Sequence, residues 1–274
     1  MIPLMKKLFI VNLMLYAGLC LLMATDNLRS PDVRTLGMGG NGVVQSSFFN
    51  PSLLALYTQK EVRIDYYNRY SLNELATVSG NFSFPNKALP MGLHIASFGY
   101  DEYRESLLRL SFGKALHKWL SLGIGVQYAL LQSDLFETDI SRLSTDIGIT
   151  VSPVDNWLIG LSVINFPSIS LTDENNDKKY ITPFLIQAGI NWQFINNLLI
   201  TTGAVYTEET PFSASMGMEY TPFSDFELRM GIRTSPLCPS VGVGYRISML
   251  TADIVMIYHP VLGISTGIGL SFSF

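Results

Sequence analysis

The chain has 274 residues, of which 48% are hydrophobic and 15% charged, and its 18 basic and 22 acidic residues give a formal net charge of −4. It shows no basic stripe, so a nucleic-acid partner is not expected. Beyond residue 24 no uninterrupted apolar stretch is long enough to cross a bilayer as a helix. High hydrophobicity without a spanning helix is typical of a membrane β-barrel, because each strand is apolar on only one face.

The N-terminus has the pattern of a secretory signal peptide. Lys6 and Lys7 precede an uncharged apolar run from Leu8 to Met23, and Ala24 is a small residue suited to cleavage. The alternative, an N-terminal membrane anchor, is weaker because the run is short and contains a polar residue. We therefore predict a signal peptide over residues 1–24.

The next segment, residues 25–61, is rich in glycine and turn residues. It contains the phrases Val33-Arg-Thr-Leu-Gly-Met-Gly-Gly-Asn-Gly-Val-Val44 and Ser47-Phe-Phe-Asn-Pro-Ser-Leu-Leu54. The run from Gly37 to Gly42 matches the dinucleotide fingerprint G-x-G-x-x-G. It follows no predicted strand and opens no βαβ unit, so we interpret the match as accidental.

From Val62 to the end, the chain divides into short alternating runs separated by Pro, Asn, Asp or charge clusters. Such alternation predicts an all-β fold, a 14-stranded antiparallel transmembrane β-barrel over residues 62–274. A secreted soluble β-sandwich or propeller is the alternative, although its outer face would carry more lysine and glutamate. The predicted strands are 62–69, 75–84, 90–99, 106–114, 119–131, 142–152, 156–165, 184–194, 197–206, 212–220, 226–234, 240–248, 250–258 and 263–274.

The lengths of the connections predict the orientation of this barrel. Short links at 116–118, 153–155, 195–196, 221–225 and 249 all join an even-numbered strand to the next odd one, and the longest link, from Phe166 to Pro183, joins strands 7 and 8. In outer-membrane barrels the tight turns face the periplasm and the long loops face outside. We therefore expect a bacterial outer-membrane location with both termini in the periplasm.

The last strand also fits this location. Five apolar residues lie on one face and serine and glycine on the other, and the chain ends on phenylalanine. This ending resembles the C-terminal recognition strand of bacterial outer-membrane barrels, which implies insertion by the barrel-assembly machinery. The apolar face consists of Ile264, Ile268, Leu270, Phe272 and Phe274.

With the apolar faces turned outward, the inner faces carry balanced charge and many glycines. Balanced charge favours a paired network over an ion-selective pore, and glycines in strands often mark the close approach of another backbone. We therefore predict that something fills the lumen. The predicted lumen charges are Arg63, Asp65, Arg109, Asp146, Glu219, Glu227, Arg229, Arg233, Arg246 and Asp253, and the predicted inward glycines are Gly123, Gly125, Gly148, Gly189, Gly217, Gly231, Gly242, Gly244, Gly267 and Gly269.

No pattern predicts catalysis. After loss of the signal peptide, Cys238 is the single cysteine, so neither an internal disulfide nor a cysteine metal site is expected. The histidines His94, His117 and His259 lie in separate strand or turn regions, outside any Ser/His/Asp or metal-ligand spacing. The sequence gives no reason to expect an enzyme, a metal or a cofactor.

An arginine, a Leu-Gly-Met-Gly-Gly phrase and an Asn-Pro motif ahead of fourteen strands resemble the PorV/PorQ-like branch of the FadL superfamily, outer-membrane proteins common in Bacteroidota. The resemblance implies that the N-terminal segment forms a hatch, or plug, inside the barrel. Two features depart from the family: Ser52 stands where alanine is usual, and most outer connections are only a few residues long. The implied hatch motif is Arg34, Gly37, Gly39, Gly40, Asn50 and Pro51.

The resemblance, the filled lumen and the short loops favour a non-catalytic interaction or scaffold subunit of a multi-protein outer-membrane complex, in protein secretion or outer-membrane protein biogenesis. Its expected partners are outer-membrane lipid and other outer-membrane or periplasmic proteins. The alternative is a FadL-like transporter of hydrophobic small molecules. A general diffusion porin fits the glycine-lined, charge-balanced interior least well.

Overall fold

The computed structural model describes residues 27–28, 32–134, 138–172, 183–207 and 212–274. The predicted signal peptide and the charged part of the longest connection, residues 173–179, lie outside these ranges.

The described chain is almost entirely β-structure, as the alternating pattern predicts. Each predicted strand is present, with ends that differ by a few residues, and one short strand was not predicted. The strands are β1 (Glu61–Asn68), β2 (Ala76–Phe84), β3 (Met91–Tyr100), β4 (Tyr103–His117), β5 (Leu120–Ser133), β6 (Ile140–Val151), β7 (Trp157–Ile164), β8 (Ser168–Ser170), β9 (Leu185–Ile195), β10 (Leu198–Thr207), β11 (Ser213–Phe223), β12 (Phe226–Arg233), β13 (Cys238–Ile247), β14 (Leu250–His259) and β15 (Gly263–Ser273).

Fourteen of these strands form a closed antiparallel ring. Each pairs with the next along the chain, β7 pairs with β9, and β1 closes the ring on β15, with Glu61 opposite Ser273 and Asn68 opposite Thr266. Closure leaves no sheet edge, which is what allows a β-structure to span lipid. The predicted 14-stranded barrel is therefore confirmed. The extra strand β8 lies outside the ring and pairs only with β6.

The two faces of the wall differ as the period-2 pattern requires. On β1, Ile64 is 58% exposed on the outer face, whereas Arg63 is 8% exposed on the inner face. Exposed aromatic side chains concentrate toward the two ends of the barrel, as in the aromatic girdles of outer-membrane barrels. They include Trp119, Trp157, Phe194, Tyr245 and Phe274 at one end and Tyr100, Phe166, Tyr206, Phe212 and Tyr258 at the other.

The ends also differ in their connections. One end, here called the turn end, has the links 85–90, 118–119, 152–156, 196–197, 224–225 and 248–249 and the outer limits of β1 and β15. The opposite end, here called the loop end, has the 165–184 connection, but also tight links at 101–102 and 260–262. The difference in loop length predicted from the sequence is thus carried mainly by the 165–184 connection.

The barrel wall is irregular where β7 ends. The β6–β7 pairing runs only from Val151 opposite Ile159 to Ile147 opposite Val163 and is the shortest in the ring. Beyond Ile164 the chain turns through Asn165, which has a positive φ of 62°, and then supplies β8 to the remaining part of β6. At the loop end β7 and β9 stop together, because Ile164 opposite Leu185 is the last pair between them.

The segment before β1 forms two short helical turns. Helix α1 (Val33–Gly37) is N-capped by Asp32, whose Oδ1 accepts a hydrogen bond from the Thr35 backbone N–H at 2.9 Å. A 3-10 turn (Pro51–Leu56) is capped by Asn50, whose side chain accepts from the Ser52 N–H. Both turns contact inner faces of the wall, α1 on the β12–β15 side and the 3-10 turn on the β3–β6 side.

Candidate functional site

The segment from Val33 to Ala55 lies against a band of inward-facing glycines. Gly113, Gly123 and Gly148 stand directly opposite one another on β4, β5 and β6, and Gly160, Gly189 and Gly203 do so on β7, β9 and β10. A Cβ at almost any of these positions would overlap the segment, so only glycine allows the two to pack this closely. This glycine belt comprises Gly92, Gly113, Gly123, Gly148, Gly160, Gly189, Gly203, Gly217, Gly231, Gly242, Gly267 and Gly269.

The sequence analysis found only part of the belt. Gly92, Gly113, Gly160 and Gly203 were not among the predicted inward glycines, although each of them stands at an inward position of its strand. Conversely, the inward glycines Gly125 and Gly244 make room for arginine and aspartate side chains of the wall and not for the segment. The sequence does not show the pairing register of neighbouring strands, and glycines on those strands form a belt only when the register places them opposite one another.

The glycine-rich part of the hatch motif adapts the segment to the wall. Gly39 and Gly40 have backbone φ values of 88° and 81°, which residues with a side chain rarely adopt. A Cβ on Gly39 would lie 2.9 Å from the Ile232 carbonyl oxygen, and a Cβ on Gly37 would lie 3.5 Å from the Gly242 Cα. These glycines therefore allow the segment to turn and allow its backbone to lie close to the barrel wall.

Asn50, followed by Pro51, ties the segment to β6. Asn50 is fully buried, and its Nδ2 donates to the Val43 carbonyl at 2.8 Å and to Thr150 Oγ1 at 3.1 Å. The Ser52 hydroxyl lies 2.6 Å from the same Thr150 oxygen. Buried polar groups need such partners, so this cluster holds the segment in one place on the wall.

Asn41 is a second amide anchor that the sequence analysis missed. It is buried beside Gly203, its Nδ2 donates to the Ala188 carbonyl at 3.3 Å, and its Oδ1 accepts from the Val43 N–H at 3.1 Å. Two sequence features could have indicated Asn41. It stands between two glycines, and its short side chain can accept a hydrogen bond from the backbone two residues further on.

Arg229 is the centre of an ion-pair network on the opposite wall. Its Nε lies 2.6 Å from Glu219 Oε2, its Nη1 lies 2.6 Å from Asp253 Oδ1, and it also contacts Glu227. Arg229 is 2% exposed. A buried guanidinium surrounded by three carboxylates compensates charges that would be costly alone.

Arg63 extends this network to β1 and to the segment. Its Nη2 lies 2.6 Å from Asp253 Oδ2, its Nε lies 3.1 Å from Asp65 Oδ2, and its Nη2 lies 4.0 Å from Asp32 Oδ1. The Val33 backbone N–H donates to Asp65 Oδ1 at 3.1 Å. The start of α1 is therefore held by the charged wall.

Arg34 adds a second connection. It binds Glu219 through two hydrogen bonds, of 2.8 and 2.6 Å, and Glu219 raises the pKa of this guanidinium against the effect of burial. Burial raises the pKa of Asp32, but Arg63 and the Thr35 N–H outweigh it, so the net pKa of Asp32 is lowered. Both side chains of the segment are thus held in their charged forms.

A separate buried pair lies across the lumen. Arg109 Nη2 is 2.9 Å from Asp146 Oδ2, both side chains are fully buried, and the Asn165 backbone N–H donates to Asp146 Oδ1 at 2.8 Å. Arg109 also stacks over the Phe48 ring, 5.0 Å from its centre. His94 also packs against the Phe48 ring, with 4.0 Å between the two ring centres. Its Nδ1 lies at hydrogen-bond distance, 2.5 Å, from Asn81 Oδ1.

Two of the ten predicted lumen charges are not buried in the interior. Arg233 is exposed at the end of β12, and Arg246 is exposed at the turn end, where it still reaches Glu227 at 3.0 Å. Both lie near strand ends, where water reaches the lumen. The other eight are buried: Arg63, Asp65, Arg109, Asp146, Glu219, Glu227, Arg229 and Asp253.

The interior toward the loop end is apolar. Inward-facing Phe98, Leu107, Ile164 and Leu185 form a buried cluster with Phe48 and Phe49 of the segment, together with Leu28 and Ala96. Toward the turn end lies a polar cavity of about 320 Å³, with Asp32, Arg34, Tyr57 and Asn81 in its lining. The segment therefore lies between an apolar cluster and a polar cavity.

The described residues contain no group of three or more His, Cys, Asp or Glu side chains placed to hold a metal ion. His94 lies inside the barrel, whereas His117 and His259 lie near its two ends. In the ranges that the structure describes, no helix is long and apolar enough to span a membrane.

Solved structures similar to this chain include forms of the TodX channel and a FadL homologue. A deletion mutant of the TodX monoaromatic hydrocarbon channel superimposes with a TM-score of 0.65 at 12% identity over 90% of this chain and 99% of that one. The Pseudomonas putida toluene transporter TodX gives a TM-score of 0.61 at 11% identity over 90% and 99% of the two chains. A Pseudomonas aeruginosa FadL homologue gives a TM-score of 0.59 at 12% identity over 88% and 96% of the two chains.

No protein-family model matches the sequence, and no curated protein is similar to it. These likenesses, at 11–12% identity, show the fold alone, which is that of a bacterial outer-membrane β-barrel. They do not bear on the PorV/PorQ-like branch in particular.

Proposed function

We propose that this barrel passes small hydrophobic molecules across the bacterial outer membrane, with residues 27–28 and 32–57 acting as parts of a plug in its lumen. This function is the alternative expected from the sequence, and the structural comparisons favour it over a scaffold. The observation that carries it is the apolar cluster at the loop end, next to the point where β7 leaves the ring.

The apolar cluster suits an apolar solute. A lumen for water-soluble solutes needs polar groups along its wall, yet Phe98, Leu107, Ile164 and Leu185 turn apolar side chains inward. Binding sites for small molecules are mostly apolar and concave, with a few polar groups to orient the ligand. Arg109 and Asn165 lie at the edge of this compartment and would supply such groups.

The early end of β7 offers such a solute a way out through the wall. Ile164 and Leu185 belong to the apolar cluster and form the last residue pair between β7 and β9. Just beyond, Phe166, Ile169 and Leu171 are exposed. A hydrophobic molecule leaving sideways here would enter lipid and avoid the polar cavity at the turn end.

The plug would control this passage. It contacts the glycine belt on one side and the ion-pair network on the other, so the apolar compartment is closed toward the turn end. Transport then requires the plug to shift, at least around Phe48 and Phe49, because these rings occupy the compartment.

Locking the plug tests this proposal. Ser52 and Thr150 place their oxygens 2.6 Å apart, so Ser52→Cys with Thr150→Cys, in a Cys238→Ala background, should form a disulfide between plug and wall. We expect saturable uptake of a monoaromatic hydrocarbon by expressing cells, loss of uptake on oxidation of the double variant, and recovery on reduction.

The Ser52→Cys single variant is the matched control and should keep its uptake under oxidation. Uptake that persists with the disulfide formed would refute a moving plug. Cells whose uptake does not differ from cells without the protein would refute transport itself.

A scaffold subunit of an outer-membrane complex is the second candidate, as the resemblance to the PorV/PorQ-like branch implies. The observation in its favour is the filled lumen with mostly short loop-end connections. A scaffold should co-purify with other envelope proteins in stable stoichiometry from native membranes in mild detergent. It should also conduct almost no ions in a planar bilayer. Neither candidate is catalytic.

We also propose that the turn end, with both termini of the ring, faces the periplasm. Val261 lies in a loop-end link and is 84% exposed, whereas Asn156 lies in a turn-end link. In a Cys238→Ala background, a membrane-impermeant maleimide should label Val261→Cys on intact cells. It should label Asn156→Cys only after the outer membrane is permeabilised, and the opposite pattern would reverse the orientation.

A further inference from the structure

In the ranges that the structure describes, the lysines are concentrated on one sector of the turn end. All four lie there, on the adjoining strands β1 to β5: Lys60 before β1, Lys87 between β2 and β3, Lys114 near the end of β4, and Lys118 between β4 and β5. The remaining turn-end links, from β6 to β14, carry no lysine or arginine but contain Asp155 and Asp225.

Contacts join these lysines into one surface. Lys60 Nζ lies 5.1 Å from the centre of the Phe84 ring and 5.6 Å from that of Phe274. Lys114 Nζ donates to the Ala88 carbonyl at 2.6 Å, so β4 is joined to the link that carries Lys87. We call Lys60, Lys87, Lys114 and Lys118 the lysine rim.

The lysine rim lies where the lipid-facing surface meets water. On β4 the outward positions run Leu108, Leu110, Phe112, Lys114, Leu116, so the ammonium group follows directly on the apolar band. Trp119, exposed beside His117, marks the same level. Lysines with apolar stems and nearby aromatic rings are suited to the depth of lipid headgroups.

The lysine rim has no acidic partner among the residues that the structure describes. In the described ranges none of the four ammonium groups lies within salt-bridge distance of a carboxylate, whereas the buried arginines are all paired with acidic side chains. Unpaired basic side chains at a membrane surface attract anionic lipids.

We propose that the lysine rim binds the phosphate headgroups of anionic glycerophospholipids in the adjoining leaflet. The binding anchors the β1–β5 sector, including the β1–β15 closure. This inference does not depend on what the lumen transports. The proposed ligand is lipid and not free phosphate, because the lysine rim borders the apolar band and its aromatic residues provide no enclosed anion pocket.

The test is lipid retention by the full-length mature protein. The barrel is reconstituted into nanodiscs of equal phosphatidylglycerol and phosphatidylethanolamine, and the lipids kept on release into detergent are counted by native mass spectrometry. We expect the wild type to retain phosphatidylglycerol preferentially. The preference should fall about threefold or more in Lys87→Gln with Lys118→Gln, and it should weaken at high salt.

The matched control is Arg104→Gln with Arg233→Gln, which removes two exposed cations from the loop end. Both double variants change exposed residues, and heat-modifiable gel mobility checks that each is folded. Equal retention of the two lipids by the wild type, or an equal loss in the control, would overturn the proposal. Displacement of the retained lipid by millimolar inorganic phosphate would overturn its assignment to lipid.

Discussion

Replacing Arg229 with glutamine is expected to destabilise the folded barrel by about 3–5 kcal/mol, more than any other single exchange considered for this protein. The physical reason is that the guanidinium compensates Glu219, Glu227 and Asp253 in the interior. Glutamine removes the cation that the three carboxylates share and leaves each of them with a single arginine partner, Arg34, Arg63 or Arg246. The measurement is a urea titration of the refolded protein in lipid vesicles, followed by heat-modifiable gel mobility.

Arg246→Gln is the matched control. Its side chain is 52% exposed and pairs with Glu227 alone, so solvent screens the interaction and the expected loss is below about 1 kcal/mol. If both variants unfold at the wild-type urea concentration, the network does not stabilise the fold. An Arg229→Lys variant should recover only part of the loss, because one ammonium group cannot bind three carboxylates with the geometry of a guanidinium.

Adding a single methyl group at the glycine belt is the second change with a large expected effect. In Gly123→Ala the new Cβ would overlap the Ser52 nitrogen and the Pro51 carbonyl carbon, both of which are backbone atoms. Neither can rotate away, so the plug must leave its place on β5 and β6. We expect about 1–3 kcal/mol of destabilisation and faster proteolysis of the N-terminal segment in the folded barrel.

Gly80→Ala provides the comparison, because Gly80 faces outward on β2 and its Cβ would meet only the flexible Ile95 side chain, at 3.3 Å. That exchange should leave both stability and proteolysis near the wild type. A Gly123→Ala barrel with wild-type stability and a protected N-terminal segment would contradict close packing between plug and wall.

The candidate site was predicted in part. The inward charges follow from strand alternation, so eight of the ten predicted lumen residues are found buried. Their partners do not follow from alternation: Arg34 and Glu219 are 185 residues apart. The hatch motif lies in the segment that packs against the inner wall, but Asn41 and its Ala188 contact were missed because they depend on the path of that segment through the barrel.

The sequence by itself determined the fourteen strands of the ring, the face of each strand that meets lipid and the position of the longest connection. These properties are local: a strand between lipid and a polar interior must alternate with period 2, and a turn must interrupt that alternation. The tertiary structure decided the glycine belt, the pairing within the ion network, the early end of β7 with the extra strand β8, and the division into apolar and polar compartments. These features depend on strand register around a closed ring and on the path of the N-terminal segment along its inner wall. Both bring together residues that lie far apart in the chain.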